Sequence, residues 1–178
     1  MSYYFTLVEP KHYPLVFEYR EELLDYRSEF DGCFELNTFE NIESWDFNNK
    51  LFEDERTLPP GYSIGFQYLY MNDDELIGMV NFRPKAESHP YLSQYGGHIG
   101  YNIRPTKRGQ GLGTKMLRDF LPIEKKYGLE RVMISCLEDN DSSRKIIINN
   151  GGELESKVFY SPECKMLEKY WIKLYYIF

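Results

Sequence analysis

The stretch from Arg108 to Thr114 carries the strongest chemical pattern in the sequence. Its residues are Arg-Gly-Gln-Gly-Leu-Gly-Thr, and they follow a predicted strand and Pro105 and lead into a predicted helix. Glycines at alternate positions let the backbone approach a ligand closely, because they carry no Cβ. The free N–H groups and the positive dipole end of the following helix attract anions. The pattern therefore predicts a phosphate-binding site, although an ordinary tight turn would also explain it.

Two other phosphate-binding patterns do not fit this stretch. A Walker loop needs Lys and then Ser or Thr directly after its last glycine, whereas Gly113 is followed by Thr114 and then Lys115. A dinucleotide fingerprint needs Gly-x-Gly-x-x-Gly in a parallel βαβ unit near the start of the fold. Here the spacing is Gly-x-Gly-x-Gly, after a strand that a hairpin precedes. A nucleotide-binding domain that uses the same loop is the weaker alternative.

The loop resembles the acetyl-CoA loop of the GNAT acetyltransferase superfamily, because Arg108-x-x-Gly111-x-Gly113 matches the family's Arg/Gln-x-x-Gly-x-Gly/Ala signature. In that family, backbone amides of the loop bind the pyrophosphate of acetyl-CoA. The preceding strand, here Gly97 to Arg104, pairs with the pantetheine arm and offers an N–H to the thioester carbonyl. The resemblance implies that the residues contacting acetyl-CoA are Tyr101, Asn102, Ile103, Arg108, Gly109, Gln110, Gly111, Leu112, Gly113, Thr114, Asn140 and Ser143.

A second block supports the resemblance. The strand from Arg131 to Leu137 leads to Asn140, Ser143 and then Gly151, which is similar to the family's Asn-x-x-Ala/Ser followed by a helix and Gly. The resemblance is strong over residues 96–152, while residues 11–60 are not covered in detail. Within the superfamily, the chain resembles a bacterial subgroup with Gly-Gly-His-Ile-Gly-Tyr at 96–101, Asn-Gly-Gly at 150–152 and Tyr-Trp-Ile at 170–172.

One departure from the family concerns the general acid. Many members carry a Tyr four residues before the closing Gly, where it protonates the leaving CoA thiolate. This chain has Ile147 at that spacing, and Gly152 replaces the usual Phe. A thiol with a pKa of about 8.5 is a tolerable leaving group as thiolate. Either another residue supplies the proton or the thiolate leaves unassisted.

Acetyl transfer to an amine also needs a base, because an alkyl ammonium is mostly protonated at neutral pH. His98 opens the fourth strand, near where relatives often hold a Glu base, and imidazole titrates in a suitable range. Glu138 follows the fifth strand and is the second candidate. A structural His98 and an exposed, inactive Glu138 are the alternatives. Tyr101 and Tyr170 are interpreted as core residues rather than acids, and Cys136 as buried packing rather than a nucleophile.

The elements that position these residues follow from hydrophobic spacing. The predicted strands are 3–8, 63–70, 75–82, 98–104, 131–137, 154–160 and 170–178, and the predicted helices are 14–28, about 39–51, 112 to about 127, and 141–150. Pro122 should kink or break the third helix, and residues 83–97 should form a long irregular loop. The order predicts an α/β fold of the α+β type. Its mixed, mainly antiparallel central sheet has about six to seven strands and is flanked by about four helices, as in the GNAT fold.

Length and composition limit the partners. The chain has 178 residues, of which 42% are hydrophobic and 17% aromatic, which predicts a single domain with a sizeable core. The net charge of −7 argues against nucleic acid or an anionic membrane as the main partner. It is compatible with a cationic amine, although solubility explains it equally well. Residues 11–60 are assigned to the substrate side and residues 96–152 to the acetyl-CoA core.

The cysteines and the chain start predict a cytoplasmic protein without a metal. The three Cys form no CxxC pair and no Cys/His cluster, so free thiols in a reducing compartment are the simplest interpretation. The first residues show neither a signal peptide nor an apolar run long enough to span a bilayer.

The sequence therefore predicts an N-acetyltransferase. It would transfer an acetyl group from acetyl-CoA to a primary amine of a small molecule or peptide by direct attack, as a monomer or homodimer. The alternative is a non-catalytic, CoA-binding regulatory module.

Overall fold

The computed structural model describes residues 2–174, which contain seven strands and four α-helices. The strands are β1 (Tyr3–Leu7), β2 (Phe66–Asn72), β3 (Glu75–Phe82), β4 (Ile99–Ile103), β5 (Arg131–Leu137), β6 (Glu153–Tyr160) and β7 (Lys165–Lys173). The α-helices are α1 (Tyr13–Asp25), α2 (Ile42–Phe52), α3 (Leu112–Lys126) and α4 (Asp141–Asn149). Short 3-10 helices lie at Pro10–His12, Ala86–Ser88 and Pro105–Lys107, and a π-helix at Leu92–Gly96.

The predicted α+β class with mainly antiparallel pairing is confirmed. The strands form a four-stranded sheet in the order β1-β2-β3-β4 and a three-stranded sheet in the order β5-β7-β6. Strand β2 pairs antiparallel with β1 and β3, and β7 pairs antiparallel with β5 and β6. The chain divides into two compact units, residues up to 83 with 100–113, and 84–99 with 114 onward. The single domain remains a prediction.

The first unit packs α1 and α2 around the apolar side chains of β2 and β3. Helix α1 buries Val16, Tyr19 and Leu23, whose spacing places them on one helix face. They join Trp45 of α2 and strand residues such as Leu69 in a single core cluster. The Trp45 indole N–H donates to the Cys33 and Phe34 carbonyls, both at 3.0 Å, so the polar atom of this buried ring is satisfied.

The second unit is built on the β5-β7-β6 sheet. Strand β5 buries Val132, Met133, Ile134 and Cys136, as its apolar sequence predicts. Along its other edge, the Met133 carbonyl accepts a hydrogen bond of 2.8 Å from the backbone N–H of His98. Helix α3 carries a buried stripe made of Met116, Leu117, Phe120, Leu121 and Glu124.

Three expectations about the elements were wrong. Pro122 lies inside a continuous α3 and does not break it, although its missing N–H removes one helical hydrogen bond; the burial of Phe120 and Leu121 just before it offsets this loss. Residues 83–97 are not wholly irregular, since they hold a 3-10 helix and a π-helix. Strand β7 begins at Lys165 rather than Tyr170; the part predicted for 175–178 lies outside the described residues.

The three cysteines differ in exposure. Cys33 and Cys136 are buried, whereas Cys164 is exposed in the turn between β6 and β7, and all three are free thiols. Burial raises the pKa of the Cys136 thiol to about 11, with a smaller contribution from the nearby Glu168 carboxylate. Cys136 is therefore a packing residue at neutral pH, as interpreted from the sequence.

Candidate functional site

The glycine loop connects β4 to α3 in the first unit. After the 3-10 helix at Pro105–Lys107, Gly109 and Gly111 adopt the left-handed conformation with φ of 74° and 76°. A side chain in this region is strained, which explains glycine at both positions. A Cβ built at either residue would have no atom of the described chain within 4 Å. The protein therefore leaves open space beside both glycines.

The side chain of Arg108 fixes the base of this loop. Its Nε donates to the Ile103 carbonyl at 2.8 Å, and its Nη2 donates to Ser28 Oγ at 2.7 Å and to Asn102 Oδ1 at 3.3 Å. A planar guanidinium with several donors is suited to bridging fixed acceptors. In this geometry Arg108 ties the loop to β4 and to the residues after α1.

Asn102 is the buried centre of that connection. Its amide donates to the Glu29 carbonyl at 2.9 Å, and its Oδ1 also accepts from the Tyr19 hydroxyl at 3.2 Å. Only 7% of Asn102 is exposed. Arg108 and Asn102, both predicted to contact acetyl-CoA, thus have structural roles; the contacts themselves remain predictions.

Glu22 of α1 is a second anchor for the loop, and the sequence analysis missed it. Its carboxylate accepts from Arg104 Nε at 2.6 Å and from the Thr106 N–H and hydroxyl at 2.9 and 2.7 Å. Burial raises the pKa of Glu22, but the hydrogen bonds from Thr106 and the Arg104 charge outweigh burial and lower it overall. No local pattern links residues more than 80 positions apart in sequence, so no sequence signal identifies this anchor.

Helix α3 begins immediately after the loop, at Leu112. The first N–H groups of an α-helix have no acceptor within the helix, so they point to an anion or to water. Gln110 Nε2 donates to the Thr106 carbonyl at 3.3 Å, which keeps that side chain at the near end of the loop. The first unit thus brings together the predicted residues of β4 and the loop: Tyr101, Asn102, Ile103, Arg108, Gly109, Gln110, Gly111, Leu112 and Gly113.

The second unit holds Thr114 and the remaining predicted residues. Thr114 accepts a hydrogen bond through its carbonyl from Asn150 Nδ2 at 3.2 Å. Asn140 is the N-cap of α4, where its Oδ1 accepts from the Ser143 N–H at 3.0 Å. Glu138 is exposed, and its N–H donates to the Met166 carbonyl at 2.9 Å. Contact of Asn140 and of Glu138 with the substrates remains a prediction.

His98 is buried against β5, with 1% of its surface exposed. Its Nδ1 accepts a hydrogen bond of 3.0 Å from the Met133 N–H. This bond places the proton of a neutral imidazole on Nε2. Gly97 has a φ of 66°, and a Cβ there would lie 2.5 Å from the Met133 carbonyl oxygen. The Gly-Gly-His motif therefore has a structural explanation, while a base role for His98 remains a prediction.

Ile147 occupies the family's tyrosine position and is fully buried. A Cβ on Gly152 would lie 2.4 Å from Ile147 Cγ2 and 2.8 Å from its carbonyl oxygen. Such distances are too short for a real contact, so the two departures from the family pattern are structurally linked. The local packing accounts for Gly152 where relatives have Phe.

A strand, a glycine loop in left-handed conformation and a long helix thus follow one another in a protein of the α+β class. A sequence profile described as the Acetyltransferase (GNAT) domain matches residues 7–153. The chain belongs to this family of acetyltransferases.

Solved structures of low sequence identity share the fold. A RimL ribosomal L7/L12 alpha-N-protein acetyltransferase in complex with coenzyme A has a TM-score of 0.71 and 18% identity, covering 97% of this chain and 94% of that one. A ribosomal-protein-S5-alanine acetyltransferase from Vibrio fischeri has a TM-score of 0.70 and 15% identity, covering 100% and 96%. YncA from Salmonella typhimurium, solved with acetyl-CoA, has a TM-score of 0.62 and 12% identity, covering 98% and 95%. No curated protein matched significantly.

Within 2–174, no three or more His, Cys, Asp or Glu side chains are grouped so that they could hold a metal ion. No helix in the same range combines the length and apolar character required to cross a bilayer.

Proposed function

We propose that this protein transfers an acetyl group from acetyl-CoA to a primary amine of a small molecule or peptide by direct attack. The proposal rests on the glycine loop at the start of α3, which hydrogen bonds of Arg108 and Glu22 hold in place. The chain that carries this loop belongs to the GNAT family. We further propose a single domain, a cytoplasmic location and a monomeric or homodimeric state.

The loop suits the pyrophosphate of acetyl-CoA. Open space beside Gly109 and Gly111 gives a bulky anion access to the backbone N–H groups, and α3 adds its dipole. Arg108 and Glu22 hold the loop on β4 and α1, so these N–H groups need little reorganisation when the anion binds. The loop binds through its backbone, and Arg108 acts mainly on the shape of the loop.

Acetyl-CoA supplies a thioester, and the chain supplies position and proton transfer. Direct attack by the amine is supported by the state of Cys136, whose buried thiol has a raised pKa and is a poor nucleophile. A β4 backbone N–H would stabilise the developing oxyanion, as in the family.

The proton acceptor is proposed to be His98 or Glu138. His98 must first release the Met133 N–H, because its Nδ1 lone pair is used and the proton of the neutral ring lies on Nε2. Glu138 is exposed and is the alternative. With Ile147 in place of the usual tyrosine, the thiolate leaves without a proton from that position.

The acceptor is proposed from charge and from the named relatives. A net charge of −7 favours a cationic amine. Two of the similar structures are named for the acetylation of ribosomal proteins, which makes a peptide α-amino group one acceptor to test beside small amines.

The test is a panel of amino acids, polyamines, aminoglycosides and short peptides incubated with acetyl-CoA, with acetylated product measured by mass spectrometry. The proposal expects product from at least one class, and a matched loss with Gly111→Ala. Tight CoA binding without product from any amine would instead favour the non-catalytic module that Ile147 suggests. Binding of ATP with no response to CoA would favour the nucleotide-binding alternative.

A further inference from the structure

In the second unit, three polar side chains surround the buried carboxylate of Glu168 in β7. Its carboxylate is 4% exposed and accepts from Arg144 Nε at 2.7 Å and from the Tyr170 hydroxyl at 2.7 Å. Lys157 of β6 lies 2.8 Å from its other oxygen. Burial alone would raise the pKa of Glu168, but these three donors outweigh burial and lower it to about 2. The carboxylate is therefore ionised and held from three sides at neutral pH.

Arg144 connects this network to the turn between β5 and α4. Besides Glu168, its guanidinium donates through Nη2 to the Glu138 carbonyl and through Nη1 to the Asp141 carboxylate. The side chain of Arg144 thus spans the turn from one end to the other. Asn140 fixes the first turn of α4 through the Ser143 N–H. Its own N–H donates to the Leu137 carbonyl at 2.9 Å, and Arg144 adds the side-chain bonds that join the two ends of the turn.

We propose that Arg144 and Glu168 are positioning residues that hold the turn 138–141 in the geometry needed for acetyl transfer. The inference rests on the proposed function, because Glu138 and Asn140 of this turn are the residues expected at the substrates. Neither Arg144 nor Glu168 touches the reacting atoms. They act on the orientation of Asn140 and of the Glu138 backbone.

The physical basis is the fixed orientation of the Arg144 guanidinium, which donates to both the Glu168 carboxylate and the Glu138 carbonyl. A guanidinium bonded to a carboxylate and to a carbonyl has its plane fixed, since both acceptors belong to rigid elements. Glu168 is buried and the side chain of Arg144 is 26% exposed, so water and salt screen this pair less than they would a fully exposed one. Misplacement of a catalytic turn by about 1 Å is enough to lower a rate by about 10²-fold.

The experiment compares three variants with the wild-type chain. Arg144→Met removes the guanidinium but keeps much of the apolar part of the side chain. Glu168→Gln keeps the shape of the anchor and removes its charge, and it serves if Arg144→Met does not fold. Lys157→Met is the matched control, because Lys157 also binds Glu168 but makes no contact with the turn.

Four measurements are used. Amide hydrogen exchange over 138–143 reports the order of the turn without any substrate. Acetyl transfer to the best amine gives kcat and KM separately, and calorimetry gives the affinity for CoA. Thermal unfolding measures the general loss of stability in each variant.

In Arg144→Met and Glu168→Gln we expect faster exchange over 138–143 and kcat lowered by about 10-fold to 10²-fold, with CoA affinity within about 2-fold of wild type. Lys157→Met should show neither change. Unaltered exchange in both variants, or loss of kcat that follows thermal stability equally in Lys157→Met, would overturn the inference. If wild type acetylates no amine, the proposed function fails and the catalytic part of the inference fails with it; the exchange readout still decides whether Arg144 orders the turn.

Discussion

Glu124 is a carboxylic acid buried in the apolar stripe of α3. It has no exposed surface, and neither of its carboxyl oxygens has a hydrogen-bond partner among the described residues. Burial raises its pKa well above the usual 4.5, so the folded chain favours the neutral acid. The two carboxyl oxygens of Glu124 lie on an otherwise apolar face of α3. The helical spacing alone would predict an apolar residue such as Leu at this position.

We predict that Glu124→Leu stabilises the protein at neutral pH. Because the folded pKa is raised, the stability associated with the acid is fully present below the unfolded pKa near 4.5 and is lost as the pH rises towards the folded pKa. Removing the unsatisfied group should raise the free energy of unfolding at pH 8 by about 1–3 kcal/mol. Urea unfolding at pH 5 and pH 8 measures the effect. A variant less stable than wild type at pH 8 would contradict it.

His98 accepts the Met133 N–H in the structure, and it is also the proposed base. We predict that His98→Ala lowers turnover by about 10²-fold, with CoA affinity unchanged. His98→Asn is the control, because its amide oxygen can accept the Met133 N–H but cannot take up a proton. Wild-type turnover in His98→Asn, with an unchanged pH profile, would assign His98 to structure and move the base to Glu138.

At the scale of elements, the loop before α3 and the end of α3 carry the same backbone conformation. Gly111 and Gly128 have φ of 76° and 81°, and a Cβ at either would meet no atom within 4 Å. We predict that Gly111→Ala and Gly128→Ala each lower stability by about 1–2 kcal/mol. Only Gly111→Ala should weaken CoA binding in calorimetry, because its Cβ would stand where the pyrophosphate approaches. Equal CoA affinity in the two variants would remove the loop from the binding site.

Most elements were predictable because their sequence patterns are local. The Asn72–Asp74 turn between apolar strands gave the β2–β3 hairpin, and Asn140 gave the start of α4. The start of β7 was missed because Glu168 interrupts the apolar alternation. Its burial depends on Arg144 and Lys157, which come from other elements. A structural His98 was one of the alternatives from the sequence, whereas the bond from Arg108 to Ser28 joins residues 80 positions apart and was not predictable.

On the scale of the molecule, stability should depend on pH through carboxylates in both units. The folded pKa values of Glu22 in the first unit and Glu168 in the second are lowered, so their stabilisation is present above the unfolded pKa near 4.5 and is lost as the pH falls through the folded values. The pKa of Glu124 is raised, so its effect on stability is opposite: stability is lost as the pH rises.

We therefore predict that the free energy of unfolding is highest at about pH 5. Urea unfolding at a series of pH values from 3 to 8 measures it. In Glu168→Gln the free energy of unfolding should fall less steeply below this pH. In Glu124→Leu only the values above this pH should change. A monotonic rise in stability from pH 3 to pH 8 would contradict the balance between these carboxylates.

The exposed Cys164 has a practical consequence for spectroscopy and for enzyme assays. Since Cys33 and Cys136 are buried, a maleimide dye should attach once per folded chain, at the turn between β6 and β7. The same thiol will react with the colorimetric disulfide reagents that are used to count released CoA, and it adds a background of one equivalent of enzyme. Cys164→Ser should remove that background, and the remaining thiols should become reactive only on unfolding, so that the reagent then reports denaturation.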